Sequence, residues 1–275
     1  MANTLKIIAA PSALPVSIEL ARQQVKQDIV ADDLLLRTSI LAAAASAESE
    51  IERTLLATRF AYVLDGFPGG VMFGTQQPIE LPRSPLLQLI GVQYLDQNGV
   101  WQTMPATDYV VVDGDPVVRV APVFGRIWPI PRPQPGCVKV IFEAGYATGL
   151  SIDVDNNWLT PERWVSLVVG DVVRFSNSGG DLPDPLEPMV DYYVQALNGS
   201  SIRISATNGG AAITLLDEGQ GQHYLGQVPD GIVSWMLLRI DGLYQHRGEA
   251  TVVQGKLEKM PYADRLLDPF RAAFQ

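Results

Sequence analysis

The chain of 275 residues has few of the side chains that catalyse reactions or hold metals. It contains one cysteine and two histidines, and charged residues make up only 18% of it. A single cysteine permits no disulfide within the chain, which fits a reducing compartment. The two histidines lack ligand-spaced partners, so zinc motifs are excluded. No apolar run approaches the ~20 residues of a membrane span, and the sequence therefore predicts no membrane partner.

Basic residues are also scarce. Acidic side chains outnumber them by 30 to 20, which gives a net charge of −10. This balance argues against a general nucleic-acid clamp, because such proteins neutralise phosphates with Lys and Arg. The acidity is uneven: residues 151–228 hold 10 acidic and 3 basic side chains, and the rest of the chain holds 20 and 17. An acidic middle segment therefore interrupts a nearly balanced body.

Known catalytic and metal-binding motifs are missing or broken. Asp153 begins a calcium-loop-like alternation of oxygen ligands, but Trp158 and Trp164 occupy the positions of the turn glycine and the bidentate glutamate. The carboxylates between 181 and 191 are separated by prolines, which indicates an extended solvated loop rather than a glycosidase pair. Cys137 begins an apolar strand and is expected to be a buried thiol. We predict no enzymatic activity, no metal and no cofactor.

Apolar residues spaced by three and four predict helices near both ends of the chain. Ser17 offers a capping hydroxyl to a short helix over 18–25. A longer helix is predicted from Asp32 to Ala57. A third is predicted to begin at Asp230 and to end near Gly248.

Short β-branched segments fill the region between these helices. The first series lies within 60–144 and includes the hairpin signal Asn98-Gly99. A second series lies within 151–226. The predicted fold class is α+β, with a helical body, a central antiparallel β unit and a separate inserted all-β domain. The predicted domains are 1–150, 151–227 and 228–275, of which the first and last form one body.

Two apolar segments have little local sequence to pack against. The glycine-rich loop, residues 66–77, carries Phe67, Val71, Met72 and Phe73. The C-terminal part of the chain carries Leu266, Leu267 and Phe270. Apolar side chains on loops often bind a partner surface, but each segment could also pack on its own subunit.

A series of short motifs recurs in a defined order: Pro15–Ala21, Asp32–Leu35, Ala42–Glu52, Tyr62–Pro68, Ile79–Leu86, Val92–Asp96, Asp108–Tyr109, Phe142–Tyr146, Leu243–Glu249 and Leu266–Arg271. In this order and spacing, the chain resembles the head-tail connector (adaptor) family of tailed phages. Residues 151–226 depart from that family, whose members have a short link there. This segment resembles a small β module of phage tail and virion proteins.

The resemblance implies a structural virion protein located at the neck, made in the host cytoplasm. It implies a dodecameric ring under the portal protein, which extends the DNA channel and docks a tail-completion or tail-tube protein. Genomic DNA would pass through without sequence-specific binding. The implied portal-docking residues are Tyr262, Leu266, Leu267, Phe270 and Arg271.

Two further sets of residues are candidates for assembly. Acidic side chains that face a channel would repel DNA phosphates, and the candidates are Asp32, Asp33, Glu48, Glu50 and Glu52. The glycine-rich loop is a candidate for a tail-side or inter-subunit contact.

A second hypothesis is a virion-surface or tail-associated binding protein. The aromatic side chains of 151–226 could contact a host glycan or another virion protein, but such rings also fill small β cores, and the core is the favoured interpretation.

Overall fold

The computed structural model describes residues 3–11, 14–26, 32–69, 71–72, 75–112, 114, 117–163, 165, 167–178, 180–188, 190–245, 263 and 265–272. Within these ranges three α-helices are present: α1 (Ile18–Val25), α2 (Asp33–Ile51) and α3 (Asp230–Gln245). None of the described helices combines the length and the hydropathy that crossing a membrane requires.

The strands of the described residues are short and numerous. In chain order they are β1 (Thr4–Ala9), β2 (Thr58–Leu64), β3 (Val71–Met72), β4 (Thr75–Gln76), β5 (Ile79–Glu80), β6 (Leu86–Leu95), β7 (Trp101–Thr103), β8 (Tyr109–Val112), β9 (Arg119–Pro122), β10 (Val138–Ala144), β11 (Ala147–Asp153), β12 (Trp158–Pro161), β13 (Val172–Ser178), β14 (Asp191–Asn198), β15 (Ser201–Ser205) and β16 (Gln222–Gly226).

These strands form four antiparallel units. A five-stranded sheet has the order β1-β2-β10-β6-β7, and a three-stranded sheet has the order β5-β9-β8. Strands β3 and β4 form a hairpin, and β11-β12-β15-β14-β13-β16 form a closed barrel. The α+β class is confirmed. The predicted helical body is not shown, because the three described helices form one small cluster in a fold that is rich in β-strands.

The helix cluster follows from capping and apolar spacing. The Ser17 hydroxyl accepts a hydrogen bond from Leu20 N at 3.2 Å and starts α1. Leu36 and Ile40 of α2 are fully buried together with Ile232 and Met236 of α3. The cluster thus joins helices from the two ends of the chain.

Helix α2 ends six residues before the predicted Ala57. Glu52 adopts a left-handed conformation with φ 57°, which stops the helix after Ile51. The Glu48 carboxylate then accepts a hydrogen bond from Leu55 N at 2.8 Å. Leu55 continues the apolar spacing and is buried, but it reaches the core from a turn rather than from the helix.

Strand β10 is the centre of the five-stranded sheet. It pairs with β2 on one side and β6 on the other, so Val140 lies between Tyr62 and Val92. Val140 and Phe142 are fully buried. Glu143 is also buried, and its carboxylate accepts a hydrogen bond from Arg59 Nη2 at 2.6 Å, which compensates the charge inside the sheet.

The barrel begins and ends at neighbouring positions. Ala147 pairs with Gly226 across β11 and β16, and Tyr146 O accepts a hydrogen bond from Gln227 N at 3.1 Å. The side chains of Phe175 and Leu225 are fully buried inside it. A unit whose chain ends lie side by side can be accommodated within another fold without disturbing it.

Candidate assembly surfaces

The C-terminal segment, residues 263–272, packs on its own subunit. Leu267 is 1% exposed within the helix cluster, and Leu266 and Phe270 pack against the same cluster. The Phe270 ring meets Tyr146 edge-on, with centroids 6.2 Å apart. A Cβ added at Gly231 would lie 2.9 Å from the Phe270 ring, so the absence of a side chain there makes room for it.

Polar contacts fix this segment to the end of α2. Ala272 N donates to Ile51 O at 3.0 Å, which satisfies a carbonyl that the helix end leaves unpaired. Arg271 lies 3.4 Å from Glu50 and 3.7 Å from Asp268, in exposed ion pairs. Of the five sequence-predicted docking residues, Leu267 is therefore enclosed and Arg271 is exposed. Tyr262 lies outside the described residues.

Two of the acidic side chains predicted to line a channel hold the helices together. Arg22 of α1 donates to both carboxylate oxygens of Asp33, at 2.9 and 2.5 Å, and the pair raises the pKa of Arg22. The Tyr244 hydroxyl of α3 donates to Asp32. These contacts link α2 to the other two helices.

The other three acidic candidates lie at the end of α2. Glu48 is largely buried while it caps Leu55 N, and desolvation raises the pKa of its carboxyl. Glu50 pairs with Arg271, and Glu52 is exposed at the left-handed residue that ends the helix. Only Glu50 and Glu52 of the five are exposed side chains.

The glycine-rich loop divides into a packed part and a hairpin. The Phe67 ring stacks on Trp128, with centroids 4.7 Å apart, and meets Tyr94 edge-on at 6.1 Å. Phe67 thus packs against its own subunit, one of the two alternatives that the sequence left open. Val71 and Met72 form β3, and Phe73 lies outside the described residues.

A second exposed apolar segment was missed by the sequence analysis. Phe124, Ile127 and Ile130 are 94%, 69% and 79% exposed. They lie in a proline-rich stretch between β9 and β10, where Trp128 points inward and is 4% exposed. Large apolar residues within a stretch that holds Pro122, Pro129 and Pro131 were the available signal, because prolines hinder such residues from folding into a helix or strand core.

The aromatic side chains of the barrel serve mainly its interior or neighbouring side chains. Tyr192 is buried and lies 5.8 Å from the Phe175 ring. The Arg203 guanidinium covers the Trp158 ring at 4.3 Å. Tyr193 and Tyr224 are partly buried, and Trp164 lies outside the described residues.

A cleft of about 550 Å³ separates α1 from barrel residues 165–174. Its charged groups bond to one another: Arg22 binds Asp33, and Arg174 binds Asp191. Desolvation raises the pKa of Asp171, which accepts a hydrogen bond from Val168 N at 2.9 Å. Each of these contacts lies within the helix cluster or within the barrel.

Other titratable side chains form hydrogen bonds within their own sheet or barrel. The His223 ring bonds to the Asn177 amide at 3.0 Å and to Glu218 O at 2.9 Å, both within the barrel. The buried Cys137 thiol donates to Asp65 O at 3.2 Å. No group of three His, Cys, Asp or Glu side chains in the described part of the chain is arranged to hold a metal ion.

Comparison with known proteins gives a structural likeness only. No family model and no curated protein matches the chain. Among solved structures, it is similar to a chain in the virion of a native gene transfer agent (GTA) particle, with a TM-score of 0.58 and 14% identity. That alignment covers 99% of this chain and 97% of the other.

Two further structures show the same fold. One is the neck of an empty GTA particle computed with C6 symmetry, with a TM-score of 0.58 and 14% identity. The other is the neck of a native GTA particle computed with C12 symmetry, with a TM-score of 0.56 and 15% identity. Both alignments cover 99% of this chain and 97% of the matched chain. The barrel is therefore inside the aligned region and is not an addition peculiar to this chain.

Proposed function

We propose that this chain is a structural protein of a phage-like virion neck, a connector that forms a ring under the portal protein. The observation that carries the proposal is the fold shared with GTA neck structures over 99% of the chain. The ring extends the DNA channel and docks a tail-completion or tail-tube protein. It is assembled in the host cytoplasm and has no enzymatic activity.

Support for a ring comes from symmetry and from surface chemistry. The matched neck structures were computed with C6 and C12 symmetry, and a dodecamer corresponds to the second. Charged residues are only 18% of the chain, and the part outside the barrel is nearly balanced in charge. Such surfaces suit neighbouring copies, because interface cores are depleted in charged residues.

The C-terminal segment is our proposed portal-docking element. Leu267 holds the segment on the helix cluster, and the outer sides of Leu266, Phe270 and Arg271 meet the portal. Docking on a segment that is already ordered costs less conformational entropy than docking on a free tail.

Of the five acidic residues predicted to line the DNA channel, we retain the two that are exposed at the end of α2. Glu50 and Glu52 are exposed there and would repel DNA phosphates, so that genomic DNA passes without specific binding. Asp32, Asp33 and Glu48 contribute by holding the helices in place. The hairpin of Val71 and Met72 is proposed as a tail-side contact.

The experiment measures the mass and shape of the purified chain, alone and mixed with the portal ring of the same particle. Light scattering should give about 360 kDa for twelve copies of the 29.9 kDa chain, and electron microscopy should show rings. A chain that remains monomeric with the portal present would refute the proposal. Rings of six copies, of about 180 kDa, would support the connector function but would show that the ring is a hexamer and not a dodecamer.

A further inference from the structure

The proline-rich arm, residues 123–135, exposes three large apolar side chains. Phe124, Ile127 and Ile130 are 94%, 69% and 79% exposed. Soluble proteins rarely leave such side chains together in water unless they meet a partner. The arm is therefore a candidate interaction surface.

The arm is held in a fixed position. Trp128 Nε1 donates to Gln77 O at 3.0 Å, and its ring stacks on Phe67. The Gln97 amide donates to Ile130 O at 3.3 Å and to Pro131 O at 3.1 Å. A surface ordered before binding loses little conformational entropy when it is covered.

The charge of the arm and its flanking strands indicates the chemistry of the partner. Residues 119–139 include Arg119, Arg126, Arg132 and Lys139 and contain no acidic residue, and of these Arg119 pairs with Glu80 of β5 at 3.3 Å. Arg126 has a weak contact with Asp108 at 3.7 Å and remains 66% exposed. The complementary surface should combine exposed apolar side chains with carboxylates.

One end of the barrel has this composition. Two loops, residues 180–188 and 215–221, carry five exposed carboxylates around the 66% exposed Leu216, namely Asp181, Asp184, Glu187, Asp217 and Glu218. Leu216 N donates to Asp184 O at 2.8 Å, and Gln220 N donates to Asp181 O at 2.9 Å. These hydrogen bonds join the loops into one surface, the acidic rim.

The arm and the acidic rim each lie at the end of their own strand that is away from the junction between sheet and barrel. The arm leads into β10 at Val138, whereas the barrel follows its other end at Ala144. The seven residues of β10 separate these points by about 20 Å. Within the barrel, the acidic rim adjoins Gln222, and Gly226 at the opposite end of β16 lies beside the junction.

We propose that the proline-rich arm of one copy packs on the acidic rim of the next copy. Two different surfaces of the same chain then form each contact, which is the arrangement that generates a ring when the rotation closes. The inference rests on the proposed connector function and assigns its subunit contact. Phe124, Ile127 and Ile130 would cover Leu216, while Arg126 and Arg132 face the carboxylates.

The apolar area of the arm is large enough to form the centre of such a contact. A stable interface buries about 800 Å² on each partner, and one aromatic side chain supplies about 150–250 Å². The three exposed side chains of the arm can therefore supply the apolar centre, with the arginines at its edge. Truncation of central apolar anchors weakens interfaces most strongly.

The test compares self-association of the full chain with that of two double variants, by analytical ultracentrifugation. Arg126→Glu with Arg132→Glu should raise the concentration needed for half-assembly on the order of tenfold or more. The matched control reverses two exposed arginines of the helices, Arg37→Glu with Arg239→Glu, and should assemble like the unaltered chain. Circular dichroism verifies that each variant is folded.

A rescue experiment identifies the partner surface. Asp184→Lys with Glu218→Lys should impair assembly alone, and a chain carrying all four changes of the arm and rim should recover it. An apolar variant, Phe124→Ser with Ile130→Ser, should impair assembly without changing the unfolding midpoint, because both side chains are exposed.

The outcomes separate the two proposals. If the unaltered chain forms rings and both arm variants form them equally well, the arm contact is wrong and the connector function stands. Equal impairment by the helix control would also overturn the arm contact, because the effect would then be general to charge. If the unaltered chain forms no rings even with the portal, the connector function fails and the contact fails with it.

Discussion

Replacing Leu267 with alanine should destabilise the isolated subunit. The side chain is 1% exposed and lies in the same cluster as Ile51 and Ile232. The substitution removes buried methyl groups and leaves a cavity between α2, α3 and the C-terminal segment. Burial in the chain's own core thus predicts a loss of stability that requires no partner.

The size of the effect follows from comparable substitutions. A Leu→Ala change in a packed core costs about 2–5 kcal/mol, depending on how far the surroundings relax. Because the segment is short and is also held by the hydrogen bond from Ala272 N to Ile51 O, we expect the lower half of this range. We therefore expect a loss of about 2–3 kcal/mol.

Urea unfolding followed by circular dichroism measures this loss, at a concentration where the chain is monomeric. Leu243→Ala is the matched control, because that side chain lies on α3 and is 38% exposed. Its cost should stay near or below about 1 kcal/mol. Hydrogen exchange of residues 265–272 should also rise in the Leu267 variant, with the Ala272 amide losing protection.

A loss of unfolding free energy below about 0.5 kcal/mol, with no change in hydrogen exchange of residues 265–272, would contradict the packing of this segment on its own subunit. The segment would then be held by another protein and not by its own subunit. In that case Leu267→Ala would weaken portal binding while the isolated chain stayed equally stable.

Three further predictions concern other buried groups. Arg59→Ala should cost about 3–5 kcal/mol in urea unfolding, because it leaves the buried Glu143 carboxylate without its charged partner. The exposed pair gives the control Arg119→Ala, expected below about 1 kcal/mol. Trp128→Ala should cost about 3–5 kcal/mol and free the arm, and a stability equal to wild type would contradict the anchor. Glu48→Gln should gain stability relative to wild type as pH rises from 4 to 7, measured by urea midpoints.

The sign of the Glu48 effect follows from the direction of its pKa shift. Desolvation raises the pKa of the folded carboxyl, so its contribution to stability is present below the unfolded value of about 4.3 and is lost as pH rises through the folded value. Glutamine stays neutral and keeps an oxygen for Leu55 N. The exposed Glu50→Gln is the control. A stability difference that does not change with pH would contradict the shift.

Local signals predicted the secondary structure where local chemistry decides it. The Ser17 cap, the β-branched run of β10 and the Asn98-Gly99 turn each act within a few residues, and the structure has α1, β10 and the β6–β7 hairpin at those positions. Gly99 adopts the positive φ of 82° that this turn requires.

Positions decided by one specific capping contact, or by contacts distant in sequence, were not predictable. The apolar spacing continued to Leu55, yet the Glu48 cap and the left-handed Glu52 turn the chain earlier. Phe67 and Leu267 were open alternatives because Trp128 and Ile232, which lie near them, are far away in sequence. Burial of this kind is decided by tertiary packing and leaves no periodic pattern.

The acidic residues of the barrel have a different interpretation once the barrel is seen to be part of the shared fold. Considered alone, an acidic insert is a solvated appendage, and its charge only keeps the chain from binding nucleic acid. The alignments with GTA neck chains include the barrel, so its presence is part of the shared fold. Five of its carboxylates lie in the acidic rim, at the end of β16 away from the sheet, and the basic arm lies at the end of β10 away from the barrel. In the contact that we propose, these opposite charges pair between successive copies around a ring, and each contact also covers the apolar side chains that one subunit leaves in water.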